Sequence, residues 1–326
     1  MSSQPEKGRG CEHVLARAVV FEEPGELDLR DLEIAPPGPG EVLVDVEWTG
    51  ISTGTEKLLY DGRMPAFPGM GYPLVPGYES VGRVVSGGDS AGLQPGDRVF
   101  VPGSRGFIDV NGLFGGAASR VVAPSARLVP INESLAEQGV LLALAATAYH
   151  ALVVDGSLAL PDLILGHGVL GRLIARLTVA LGGEPTVWEI NPARRQPNDS
   201  YAVIEPETDT RSDYRRACDV TGSSTILNQV IPHLARHARV VLAGFYQRPV
   251  SFDFPAAFMR EIGIQIAAEW RPDDLTEVTA LLDSGRLSLD GLITHCESPQ
   301  HAADAYRTAF EDADCLKMIL DWRSAE

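Results

Sequence analysis

Cysteine is scarce: four residues (Cys11, Cys218, Cys296, Cys315) in 326, widely spaced and with no CxxC pair. That spacing excludes a disulfide framework and a zinc finger, and fits a reducing compartment. Basic residues are also few, 27 Lys and Arg against 44 Asp and Glu, for a net charge of −17. Phosphate contacts need clustered Lys and Arg, so no nucleic acid partner is expected, and an anionic membrane surface is disfavoured for the same reason. No run approaches the roughly 20 apolar residues of a membrane span, and the opening MSSQPEKGRG lacks the apolar core of a signal peptide. Stable membrane insertion is therefore not expected, residues 1–14 read as a loose tail, and the expected location is cytoplasmic. What remains, 44% hydrophobic and 22% charged, suits a soluble chain of two ordinary domains.

The first third is rich in Gly and Pro. Short apolar runs (ARAVVF, EVLVDVEW, ESVGRVVS, DRVFVP, SRVVAP) alternate at period two between turn residues such as PGPG and QPGD. They predict antiparallel strands in a small barrel or strongly coiled sheet. From about residue 133 the texture changes. ESLAEQGVLLALAATAYHAL predicts one long helix opened by acidic residues. PDLILG, PTVWEI, ACDVTGSS, ARVVLAGFY and GIQIAAEW then read as strands, with VLGRLIARLTVALG a helix among them. Strands alternating with helices predict a parallel, doubly wound sheet, giving an α/β chain overall.

Gly166-His-Gly-Val-Leu-Gly171 follows the strand residues 163–165 and opens a helix. In that setting each glycine has a task. Gly166 permits the tight turn, Gly168 lets a pyrophosphate approach the backbone, and Gly171 lets helix and sheet pack closely. The helix N-terminus, with Val169 and Leu170 in its first turn, offers amide donors and a positive dipole to the phosphates. Glu189 ends the next strand, 18 residues beyond Gly171, near the spacing of the acid that holds an adenosine ribose. A carboxylate there accepts from the 2′-hydroxyl and repels a 2′-phosphate, so NAD is the expected cofactor. Arg194 and Arg195 just downstream pull the other way.

TGISTGTE (49–56), VPGYES (75–80), QPGDRV (94–99), ATAYHAL (146–152), LGHGVLG (165–171), DVTGSS (219–224), LITHC (292–296) and CLKMIL (315–320) occur in the order of the medium-chain dehydrogenase/reductase superfamily. The chain resembles that superfamily over nearly its whole length. The resemblance implies a GroES-like β-barrel domain (1–144 and 271–326) carrying a Rossmann dinucleotide-binding domain (145–270), with the active site between them and a homodimeric assembly. Within the superfamily, ISTGTEKLLYDGRMP, GYPLVPGYESVGRVV and LILGHGVLGRLIARL most resemble a narrow group of dehydrogenases of bacteriochlorophyll a synthesis. That resemblance, and no feature of composition, implies a bacteriochlorophyllide-type tetrapyrrole substrate whose 1-hydroxyethyl side chain is oxidised to acetyl with NAD.

The chain departs from the zinc-dependent members. Where they carry Cys, His and Cys ligands it has Ser52–Thr53, Tyr78 and the neighbourhood of Ala143, and only Glu79 of their Gly-His-Glu motif survives. Zinc needs about three protein ligands, so neither a catalytic nor a structural zinc is expected. The segment after Glu189 is too short, and holds too many turn residues, for the usual helix before the third strand. Without a metal, the proton of the substrate hydroxyl must leave through side chains. Tyr78, Glu79, Ser52 and Thr55 surround the site the resemblance implies, and His150 is a candidate neighbour of Tyr78 or the base itself. The resemblance brings Thr147, Thr221, Gly222, Gly244 and Phe245 to the nicotinamide half, and the basic side chain of Lys317 to the pyrophosphate. The loop SRGFIDVNGLFGGAAS (104–119) suits either a flat greasy ligand or a subunit contact. Two other readings stay open: a zinc-independent quinone or enone reductase using NADPH, and a dinucleotide-binding protein without catalysis.

Overall fold

The computed structural model describes residues 14–66, 68–87, 92–195 and 200–324; most of the expected N-terminal tail lies outside them. Val14–Glu23 and Glu26–Ile34 form an antiparallel hairpin turned at Gly25. The second of these strands escaped the sequence reading. With Leu74–Val75 and Asn111–Gly112 the hairpin makes one sheet. A larger sheet runs through Glu41–Gly50, Ser80–Gly87, Arg98–Val101 and Val129–Pro130, with Arg120–Pro124 paired to Glu41–Gly50. The two sheets enclose a core of Val19, Phe21, Val42, Val44, Leu74, Val99 and Val121, as period-two alternation requires. The C-terminal strand Met318–Asp321 returns to pair with Glu41–Gly50. That return places Lys317 beside the barrel.

The second sheet system is fully parallel. Its six strands lie in the order Ala202–Ile204, Thr186–Trp188, Leu163–Leu165, Tyr214–Asp219, Leu234–Leu242, Gly263–Ile266. Side chains alternate between its faces. Ile164, Cys218 and Val241 pack with the helices Leu142–His150 and Val169–Ala180, while Leu163, Leu165, Val240 and Leu242 pack with Ile226–Val230 and Phe254–Arg260. Because the strands are parallel, their C-terminal ends collect Gly166, Glu189, Thr221 and Gly244 along one edge.

Two local expectations need adjustment. The long helix from residue 133 is broken: Glu133–Leu141 is 3-10 in character with Ala136 at φ 43°, and only Leu142–His150 is α-helical. The carboxylate of Glu133 is drawn to Arg83 and Arg98, and the Asn132 side chain accepts from Ser134 N–H. After Glu189 the described residues contain only the 3-10 turn Pro192–Arg194 before the third strand, in keeping with the expected abbreviation; residues 196–199 lie outside them.

Candidate active site

Gly166 has φ +99° and donates its N–H to the Trp188 carbonyl at 2.9 Å. A Cβ on Gly171 would collide with the Gly166 carbonyl, so helix and turn touch only because residue 171 is glycine. Around Gly168 the space is open: a methyl group there would meet only the Arg194 guanidinium, 3.9 Å away. The helix Val169–Ala180 starts there with no side-chain cap, which leaves the amides at Gly168, Val169 and Leu170 for an anion. A dinucleotide pyrophosphate fits this cradle.

Glu189 is buried and fixed. Its Oε2 accepts from His167 N–H and its Oε1 from Asn191 N–H, both at 2.8 Å. Arg195 donates to the Glu189 and Ile190 carbonyls at 3.0 Å. His167, overlooked in sequence, anchors the glycine loop from below. Its Nδ1 donates to the Arg194 carbonyl at 2.6 Å and its Nε2 accepts from the Tyr201 hydroxyl at 3.0 Å. Burial holds its pKa down to about 4, so the ring is neutral and its one proton sits on Nδ1, facing the carbonyl.

Gly222 and Gly244 abut at the ends of their strands, and Phe245 is exposed beside them. The Thr221 hydroxyl is turned away, donating to Asp219 Oδ1 at 2.7 Å. The buried Asp219 also accepts from the Tyr246 hydroxyl, and burial raises its pKa. Neither residue was foreseen; an acid ending an apolar strand just before a Thr-Gly turn was the available signal.

Three of the expected catalytic side chains meet. Tyr78 Oη lies 2.6 Å from Ser52 Oγ and 3.4 Å from Thr55 Oγ1. Burial, with the Glu79 carboxylate second, pushes the Tyr78 phenol well above its ordinary value. The phenol therefore keeps its proton near neutral pH and stands in the cluster as a hydroxyl that donates and accepts. Thr147 is half-buried, its hydroxyl bonded back to Ala143 at 2.9 Å.

Glu79 and Lys317 differ from expectation together. The Lys317 ammonium is buried, 2% exposed, against Glu79 Oε2, and donates to the Ile51 carbonyl at 3.0 Å. These two partners hold the ammonium, as a buried cation requires, in place of the pyrophosphate contact the resemblance implied. Glu79, next in sequence to Tyr78, faces Lys317 instead of the hydroxyl cluster, and its Oε1 has no hydrogen-bond partner. Two opposite charges, each inside an otherwise apolar segment (PGYESV and CLKMIL), were the sequence signal for this pair. Glu56, also missed, is buried beside it. It accepts from Ser52 N–H at 3.0 Å and from the Tyr306 hydroxyl at 2.6 Å, and burial lifts its pKa to about 7.

His150 is likewise reassigned. Its Nδ1 lies 2.8 Å from Asp274 Oδ2, and that carboxylate caps the helix Pro272–Asp283 through Arg271 N–H. The imidazole joins two helices and makes no hydrogen bond to the hydroxyl cluster.

The donor set at the zinc position of related enzymes is three hydroxyls and a carboxylate already held by an ammonium. Zinc, which takes thiolate, imidazole and free carboxylate, does not fit it. Among the described residues no three His, Cys, Asp or Glu side chains gather as a metal requires.

Residues 38–133 match the alcohol dehydrogenase GroES-like domain family. The chain is similar to the 2-desacetyl-2-hydroxyethyl bacteriochlorophyllide A dehydrogenase of Cereibacter sphaeroides, 52% identical over 313 residues covering 94% of this chain and 98% of that one. The enzyme of the same name from Rhodobacter capsulatus is 52% identical over 95% of this chain and 99% of its own. Among solved structures, L-idonate 5-dehydrogenase from Escherichia coli superposes with a TM-score of 0.83 at 19% identity, covering 95% of this chain and 99% of that one. The 2R,3R-butanediol dehydrogenase of Bacillus subtilis gives 0.81 at 20% identity, covering 94% and 99%. A GroES-like barrel joined to a Rossmann sheet with a glycine cradle defines a medium-chain dehydrogenase/reductase. Within that superfamily the chain belongs to the bacteriochlorophyllide dehydrogenase family that the two 52%-identical relatives represent.

Proposed function

We propose that this dehydrogenase oxidises the 1-hydroxyethyl side chain of a bacteriochlorophyllide to an acetyl group, with NAD as acceptor. The observation that carries the reading is the 52% identity, over 94% of the chain, to dehydrogenases named for that substrate. The glycine cradle of Gly166, Gly168 and Gly171 would hold the dinucleotide's pyrophosphate, and the bound NAD would supply the hydride acceptor. The chain's own residues handle the proton. Ser52, Thr55 and Tyr78 form a continuous hydroxyl cluster, in which the phenol accepts the substrate proton as it gives its own away, and the proton leaves to water through the partly exposed Thr55. Glu189, rigidly held, supports NAD over NADP by accepting from the 2′-hydroxyl. Initial rates with NAD and NADP on hydroxyethyl bacteriochlorophyllide test the reading, and a strong NADPH preference with quinones or enones would favour the reductase instead.

The limits 1–144 with 271–326, and 145–270, are supported as domains by the return of the C-terminal strand to the barrel sheet. A homodimer is supported by the sheet edge Gly263–Ile266, where Ile266 is 76% exposed, and by the exposed Phe254, Phe258 and Met259 of the preceding helix. Bare apolar edges of this kind favour pairing with another strand. No helix among the described residues is long and apolar enough to cross a membrane. The free Cys218, Cys296 and Cys315 support a cytoplasmic location.

A further inference from the structure

Next to the hydroxyl cluster stands an aromatic ring that the chemistry above does not use. Phe114 lies edge-on to Tyr78, with centroids 5.1 Å apart and planes at 74°. It remains 37% exposed although it packs against the half-buried Tyr78. Its mount is rigid. Ser104 N–H donates to the Phe114 carbonyl at 2.7 Å, Gly115 N–H to Val75 at 2.9 Å, and Gly116 N–H to Gly77 at 2.8 Å. Gly115 and Gly116 are pressed so closely on Ser104 and Gly77 that neither could carry a Cβ. The segment bearing Phe114 is thereby fastened to the segment bearing Tyr78, one residue from Gly77. An exposed ring on a flexible loop would lose entropy on binding; one held in this way loses little.

We infer that Phe114 is a specificity-determining residue, whose exposed face stacks on the flat ring of a conjugated macrocyclic substrate and sets its side-chain hydroxyl against Ser52, Tyr78 and Thr55. The inference rests on the proposed bacteriochlorophyllide reading. Two facts support stacking. Aromatic faces attract extended π-systems in offset or edge-on arrangements. A broad apolar plane offers such a ring an area to cover that a small alcohol does not. Phe114 takes no part in hydride or proton transfer; its contribution is to binding and orientation.

The test compares wild type with Phe114→Leu, Phe114→Trp and Phe114→Ala in steady-state oxidation of hydroxyethyl bacteriochlorophyllide. It adds fluorescence titrations with the acetyl product and with NADH. Stacking predicts that Phe114→Leu and Phe114→Ala raise KM and product Kd by about 5- to 50-fold. In both, kcat stays within about threefold and NADH affinity is unchanged, while Phe114→Trp binds as wild type or better. A Phe114→Leu variant with wild-type KM and product affinity would overturn the inference, since leucine keeps the bulk and loses the π-face. An equal loss of NADH affinity would overturn it too, by revealing general disorder of the cleft. Wild type that binds the macrocycle without oxidising it would defeat the activity reading alone, leaving the product titrations to judge Phe114.

Discussion

Tyr78 and Ser52 share a hydrogen bond of 2.6 Å between hydroxyls, with Thr55 3.4 Å from the same phenol oxygen. Removing the phenol oxygen breaks this chain while leaving the ring against Phe114. Tyr78→Phe should therefore lower kcat by about 100- to 10,000-fold, the range of a lost proton-transfer group, with KM nearly unchanged. A loss confined to KM would mean that Tyr78 only lines the pocket.

Lys317 and Glu79 are buried together, so each should depend on the other. Lys317→Met leaves a buried carboxylate uncompensated and should cost about 3–5 kcal/mol of stability. The double variant Lys317→Met with Glu79→Leu should recover most of it. Urea unfolding of both variants checks this; additive losses would mean the two charges act separately. Intact NADH affinity in the double variant would show that Lys317 serves Glu79 and not the dinucleotide.

How far such placements could be read from sequence differs by kind. The glycine cradle was legible because Gly166, Gly168 and Gly171 sit at a spacing that strand, turn and helix geometry impose. Glu189 was legible as the acid that ends the next strand, though not that its carboxylate is held by His167 N–H and Asn191 N–H. Ser52, Thr55 and Tyr78 were identified through the ligand positions they replace. Lys317, Glu79 and His150 were misassigned because local pattern gives a residue's face of an element, whereas its partner comes from a distant one: Lys317 meets Glu79 across 238 positions and His150 meets Asp274 across 124. Glu56 was hidden by the same distance, its partner Tyr306 standing 250 positions away.

The pH dependence of stability should report on Glu56. Its pKa rises from the usual 4.5 to about 7, burial being the main cause, with Tyr306 and Ser52 N–H opposing and Glu79 and Lys317 nearby. The folded chain therefore holds a proton that the unfolded chain releases above about pH 4.5. The stability from this group is present in full below 4.5 and is lost as pH rises through about 7. Glu56→Gln, which keeps an acceptor for Tyr306, should gain on wild type between pH 5 and pH 8. Parallel stability profiles of the two proteins across that window would contradict the assignment.

Glu189→Ala should weaken NADH binding by about 1–3 kcal/mol, the range for a hydrogen bond to a charged group, and narrow the preference over NADPH. Fluorescence titration with both dinucleotides measures it. An unchanged ratio would place the discriminating group elsewhere.

The most direct measurement follows NADH absorbance after purified protein, NAD and hydroxyethyl bacteriochlorophyllide are mixed, with a metal chelator present and the pigment analysed by mass. The account predicts one NADH formed for each acetyl product, a mass loss of two hydrogens, and a rate unaffected by the chelator. Absence of NADH and of acetyl product, or activity abolished by the chelator and restored by zinc, would contradict it.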